Sequence, residues 1–190
     1  MALTTAGNGI AAGSIGCAVP AGIRNMWAAD SNDITGGITF ATTGDFVATS
    51  ISPSGQFEPL EFKTQQAQVT ETGEKNEAGN MFYTYEIECD FTKADKTQRR
   101  AIQEISEKCN LVLVAELYDG RFMVYGADSN MGLDCKCEMN GFEQSHERGI
   151  EGGNLGIVRF MAQHTELAYE YDGSGDSAVT AADKRTHLAG

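Results

Sequence analysis

The sequence predicts a mainly β fold of α+β character, a β-barrel or sandwich with one flanking α-helix. Three observations carry this expectation. From Met81 to Thr92, apolar or aromatic residues (Met81, Tyr83, Tyr85, Ile87, Cys89, Phe91) alternate with mostly acidic or hydroxylic ones, the period of two that a half-buried strand requires. Leu111 to Leu117 is a nearly continuous apolar run followed by Asp119-Gly120, a tight-hairpin dipeptide. Between them lies one helical pattern, with Asp95 and Gln98 spaced as a capping box.

Taken in order, residues 1–21 carry no periodic signal and are expected as an N-terminal arm. Gly22 to Asp30, Ile38 to Phe40 and Phe46 to Ile51 read as strands, separated by the turn clusters Thr35-Gly36-Gly37 and Pro53-Ser54-Gly55. Leu60 to Thr72 reads as a strand polar on both faces, with Phe62, Thr64, Gln66, Gln68 and Thr70 on one side. A strand this polar has no place inside a dry sandwich, where its groups would go unsatisfied; it suits solvent or a wet passage. Gly73 to Gly79 is expected as a charged loop.

The helix presents Ala101, Ile102, Ile105 and Cys109 as a narrow apolar stripe and stops at Asn110. It is expected to lie on a sheet surface. After the return strand Phe122–Tyr125, residues 131–139 read as a strand, Gly141 as a turn and 143–153 as a polar loop. Leu155 to Leu167 reads as a second long strand. Residues 22–168 therefore form the expected β domain, and 169–190 a flexible or partly helical tail with a short helix near 178–188.

The chain has 190 residues, 14 Lys and Arg against 27 Asp and Glu, and a net charge of −13. Such a balance argues against static binding of nucleic acid, which needs clustered cations. A negative wall along which DNA slides is compatible with it. No apolar run approaches the ~20 residues of a membrane helix, and no Lys or Arg precedes Arg24, so neither a membrane anchor nor a secretion signal is expected.

Candidate sites are weak. Cys135-x-Cys137 supplies two thiols where a closed zinc site needs four ligands. Asp172-Gly-Ser-Gly-Asp176 opens like a calcium loop, but Ser177 stands where glycine is required and Asp183 where glutamate is. Ser145-His146 lacks a nucleophile elbow around it. The five cysteines are expected to be reduced, several of them as small core residues. Tyr83, Tyr85 and Phe91 fit a core stripe better than a stacking platform. The expectation is no catalytic residue, no metal and no cofactor.

The order of elements from Met81 to Gly126 (long strand, capped helix, buried strand, tight hairpin) resembles that of the tail tube proteins of tailed bacteriophages. Gly22-Ile-Arg-Asn-Met-Trp-Ala-Ala-Asp30, the hairpin Leu117 to Gly126 and the late long strand from Gly141 to Leu167 extend the similarity over 22–167. The resemblance implies a tail-tube-like domain, six copies in a ring, stacked rings and a shared inner barrel. It implies that Thr64, Gln66, Gln68 and Thr70 line the lumen and that Glu86, Glu88 and Asp90 lie between subunits. The implied partners are copies of the chain and other virion tail proteins, with DNA passing through unread. The implied place is the virion tail, after synthesis in the host cytoplasm. The alternatives are a neck, tail-terminator or capsid-decorating protein, or a non-catalytic β-sandwich binding module.

Overall fold

The structure is a computed structural model that describes residues 22–42, 46–62, 67–91, 96–146, 154–178 and 180–190. The arm 1–21, Cys17, Thr64, Gln66, Asp95 and the end of the expected polar loop lie outside the described residues.

The fold is mainly β, built on two sheets that do not close into a barrel. In chain order the elements are β1 (Ile23–Asp30), β2 (Gly37–Phe40), β3 (Val47–Ser52), β4 (Glu58–Leu60), β5 (Ala67–Lys75) and β6 (Met81–Phe91). Then follow α1 (Lys96–Ser106), β7 (Leu111–Leu117), β8 (Phe122–Tyr125), β9 (Cys137–His146), β10 (Asn154–His164), β11 (Tyr169–Tyr171) and α2 (Ala181–Ala189). A seven-stranded sheet runs β2-β3-β11-β8-β7-β1-β4, and a four-stranded sheet runs β5-β6-β10-β9.

The long alternating strand forms as the pattern requires. Tyr85, Ile87, Cys89 and Phe91 are buried, while Glu86 is exposed and Glu88 and Asp90 are half-buried. Its inward side chains meet Met26, Ala28, Leu113 and Ala115 of the larger sheet to make the inter-sheet core. A second core lies on the other face of the larger sheet, where Trp27, Val112, Val114, Phe122, Tyr171 and Leu188 pack together. β7 thus buries both faces, which explains its unbroken apolar run.

Several boundaries differ from expectation for local reasons. The polar strand is divided: β4 ends at Leu60, and β5 runs from Ala67 through the expected loop to Lys75. Cys109 is exposed and lies beyond α1. The chain is pulled toward the sheet there, by Lys108 on Asp30 at 2.6 Å and by an Asn110–Cys137 bridge. In the hairpin after β7, Leu117 N–H donates to the Arg121 carbonyl at 2.8 Å, which leaves three residues, Tyr118 to Gly120, in the loop. Gly120 N–H donates to the Leu117 carbonyl, and Gly120 takes φ +90° while Asp119 does not have a positive φ, the type I turn with a glycine bulge. Gly141 lies inside β9 next to a register shift, packed under the Arg159 stem. Gly126, at φ +88°, is a position only glycine fits, because a Cβ there would meet the Leu111 carbonyl oxygen at 2.2 Å.

Residues 169–190, expected as a tail, complete the larger sheet and cover it. β11 pairs in parallel with β3 and antiparallel with β8. α2 starts on a capping box formed by Thr180 and Asp183 and buries Leu188. No helix among the described residues is long and apolar enough to cross a membrane.

Candidate functional site: the outer face of the four-stranded sheet

The register of the smaller sheet fixes what its outer face carries. Gln68 is paired with Glu88 and Thr70 with Glu86 across β5 and β6. Arg159 is paired with Glu88 and Met161 with Glu86 across β6 and β10. Every one of these outward side chains is exposed or half-buried. The outer face of the larger sheet is covered by α2, whereas no helix among the described residues covers this face. The sequence put Gln68 and Thr70 in one place and Glu86, Glu88 and Asp90 in another. The register places both sets on one surface, so they share one environment.

The face is acidic but internally braced. Arg159 Nε donates to Glu88 Oε2 at 2.8 Å, and its NH1 lies 3.6 Å from Glu143 Oε2. One guanidinium thereby ties β6, β10 and β9 together at the middle of the face. The Glu88 hydrogen bond raises the Arg159 pKa above its ordinary value. Both outer strands, β5 and β9, end the sheet order. Nine residues of β5 and much of β9 therefore present an edge whose backbone groups can take another strand.

A cavity of about 220 Å³ lies under α1, lined by apolar groups that include Met26, Leu60, Phe91, Ile102, Ile105 and Phe160. Ile102 and Ile105 are only partly buried, so α1 rests on the sheet without sealing it.

The candidate chemical groups are spent on structure. Asp176 accepts from Ser50 Oγ at 2.7 Å, Ile51 N–H at 2.8 Å and Tyr171 Oη at 2.9 Å. The calcium-like turn is therefore an anchor that joins β3, β11 and α2, with His187 Nε2 2.7 Å from the Ile51 carbonyl oxygen. Among the described residues no group of three or more His, Cys, Asp or Glu could hold a metal ion. Cys135 precedes β9 instead of sharing a strand with Cys137, and both are buried. Ser145 and His146 end β9; their side chains lie outside the described ones. Tyr85 is core: its hydroxyl accepts from Ala168 N–H at 2.7 Å, and its ring packs on Tyr125 and His164.

Burial pushes the Cys89 and Cys135 thiols up to about 12, and raises Cys137 as well. Cys109 is exposed. Thiolate is the reacting form, so maleimide at pH 7.5 is expected to label Cys109 rapidly while Cys89, Cys135 and Cys137 stay unmodified until the protein is denatured. Peptide mapping by mass spectrometry checks this. Native labelling of Cys89 or Cys137 at the rate of Cys109 would contradict the packing described.

Two polar clusters escaped the sequence reading. Asp128, fully buried, accepts from Asn130 and Met131 N–H through Oδ1 (2.9 and 2.6 Å) and from the Thr165 N–H and hydroxyl through Oδ2 (3.0 Å each). Glu116, also fully buried, accepts from Asn25 Nδ2 at 2.6 Å and from Arg185 Nε at 2.8 Å and Nη2, with Arg24 3.8 Å away. A lone Glu in an apolar run and the basic pair Lys184-Arg185 were the signals for the second cluster. Nothing in the sequence pairs them.

Searches against protein-family models, curated proteins and solved structures found no match.

Proposed function

We propose that the chain is a virion structural subunit, most specifically a tail tube protein whose copies join into six-membered rings that stack around a channel for DNA. The single observation that carries this reading is the four-stranded sheet. Among the described residues nothing covers its polar, acidic outer face, and no strand pairs with the outer edges of β5 and β9. A sheet of this kind is incomplete by itself. β5 of one copy beside β9 of the next would continue it around a ring and remove the exposed edges.

In this reading Gln68 and Thr70 face the lumen, and so do Glu86, Glu88 and Asp90, because they lie on the same face. Thr64 and Gln66, expected with them, lie outside the described residues. The carboxylates keep DNA from adhering, since binding a polyanion requires cations that can replace its counterions. Arg159, held between two carboxylates, offers no free positive charge to a phosphate. The protein acts without catalysis, metal or cofactor, and works in the virion tail alongside other tail proteins. A binding module that stacks sugars has little support, since Trp27 is buried against Phe122.

Electron microscopy and sedimentation of the purified protein test the proposal. Rings or tubes with a central channel are expected, growing with protein concentration. A neck, terminator or decorating protein would stop at a single ring or a monomer. A strictly monomeric species at every concentration contradicts the reading.

A further inference from the structure

Six large hydrophobic side chains stand exposed among the described residues, and four of them, Phe46, Met81, Phe82 and Leu167, line one groove of about 630 Å³. The groove lies between the turn of the β5–β6 hairpin and the 165–167 segment. A fifth exposed hydrophobic, Met131, follows the groove residue Asn130. Single exposed apolar residues are ordinary, but a contiguous group of them marks a contact surface. Phe46 also holds φ +50°, a strained backbone for a side chain of that size, with its ring only edge-on to Tyr169 at 5.7 Å. Strain that displays an aromatic ring to solvent is what a contact made later would use.

We propose that this groove receives residues 1–21 of a neighbouring copy of the chain. The inference rests on the reading that copies assemble. Residues 1–21 contain no Asp, Glu, Lys, Arg or His, and every charged side chain of the protein follows them. They are the longest stretch that brings no charged side chain of its own to the groove, where Asn80, Asn130, Thr165 and Glu166 stand beside the four exposed apolar side chains, and Leu3, Ile10, Ile15 and Val19 give them side chains to bury against those four. The points of exit and entry lie at opposite ends of the smaller sheet. Gly22 sits against the Ala67 carbonyl oxygen, at the start of β5. The groove sits at Met81–Tyr83, which pair with the far end of β5 from Gly73 to Lys75. These ends are separated by about 25 Å of strand. Copies stacked head to tail bring the arm-bearing end of one against the grooved end of the next. Such a contact is heterologous and does not close, so it propagates along an axis. The resulting stack is held by apolar burial and does not depend on salt, whereas contacts between acidic faces would.

The test uses the full chain with Phe82→p-benzoylphenylalanine, a substitution at an exposed position. Equal amounts of ¹⁵N-labelled and unlabelled protein are mixed, assembled and irradiated, and tryptic peptides are mapped. Cross-links are expected to the peptide ending at Arg24, with about half joining a labelled to an unlabelled chain. Cross-links to that peptide only within one chain, cross-links to other segments, or none in assembled protein would overturn the proposal while leaving the tube reading intact. Protein that stays monomeric at every concentration would overturn both.

Discussion

Replacing Arg185 with methionine is expected to lower the free energy of unfolding by about 3 kcal/mol. Breaking a buried pair by removing one partner costs ~3–5 kcal/mol, because the remaining charge is left unpaired. The lower end applies here, since Arg185 is about one third exposed and Arg24 stands 3.8 Å from the same carboxylate. Burial alone would raise the Glu116 pKa. The hydrogen bonds from Arg185 and Asn25, and the two guanidinium charges, outweigh it and hold the group below the usual carboxylate value. Methionine keeps the aliphatic stem of Arg185 and removes only the pair. The double variant Arg185→Met, Glu116→Leu is expected to recover most of the loss, because neither charge then remains in the apolar layer. Urea denaturation at constant slope measures all three proteins. A single variant within about 0.5 kcal/mol of the parent, or a double variant no better than the single, would show that the pair does not hold α2 to β7.

The second large effect is an acid destabilisation traced to His164. This side chain is buried, with its ring on Tyr85 and its Nε2 accepting the Gly126 N–H at 2.8 Å. The proton of the neutral ring therefore sits on Nδ1, which finds no partner among the described residues. Burial drives the pKa from 6.5 down to about 4, and the nearby Asp128 charge opposes this only in part. The unfolded chain takes up a proton below pH 6.5 and the folded protein does not do so until about pH 4. Stability is therefore complete above pH 6.5 and falls as the pH is lowered through that window. The loss sums to about 3 kcal/mol by pH 4, at ~1.4 kcal/mol per unit. The facing Tyr85 and Tyr125 are neutral throughout, and the carboxylates of Asp128 and Glu116, held below their ordinary values of 3.8 and 4.5, begin to add their own loss only as the pH approaches those values, at the acid end of this window. His164→Gln, whatever its stability at pH 7, is expected to flatten the slope between pH 6.5 and 4.5. An unchanged slope in that variant would assign the acid sensitivity elsewhere.

What the sequence makes legible follows from the range of the interactions. β6 was readable because each residue's side is set by its own period, and β7 because burial on both faces leaves an unbroken apolar run. The start of β5 and the end of α1 were not readable, because they go with contacts distant in sequence: Ala67 paired with Cys89 of β6, and Lys108 on Asp30. The tail looked polar and free because its three large buried anchors, Tyr169, Tyr171 and Leu188, are scattered among glycines and charges. Its charges are spent inward, Lys184 on the Tyr171 carbonyl at 3.0 Å and Arg185 on Glu116. The candidate site was legible in its residue types and not in its unity. Only the register shows that Gln68 and Thr70 lie beside Glu88 and Glu86, and a shift by one residue would have sent them to opposite faces.

The central claim is that the four-stranded sheet is completed by other copies of the chain and turns its acidic face inward. A cryo-electron microscopy reconstruction of the assembled protein tests this most directly. The account predicts β5 of each subunit hydrogen-bonded to β9 of its neighbour, with Gln68, Thr70, Glu86 and Glu88 facing the channel. Subunits joined through other surfaces, with this face pointing outward or its edges unpaired, would contradict it.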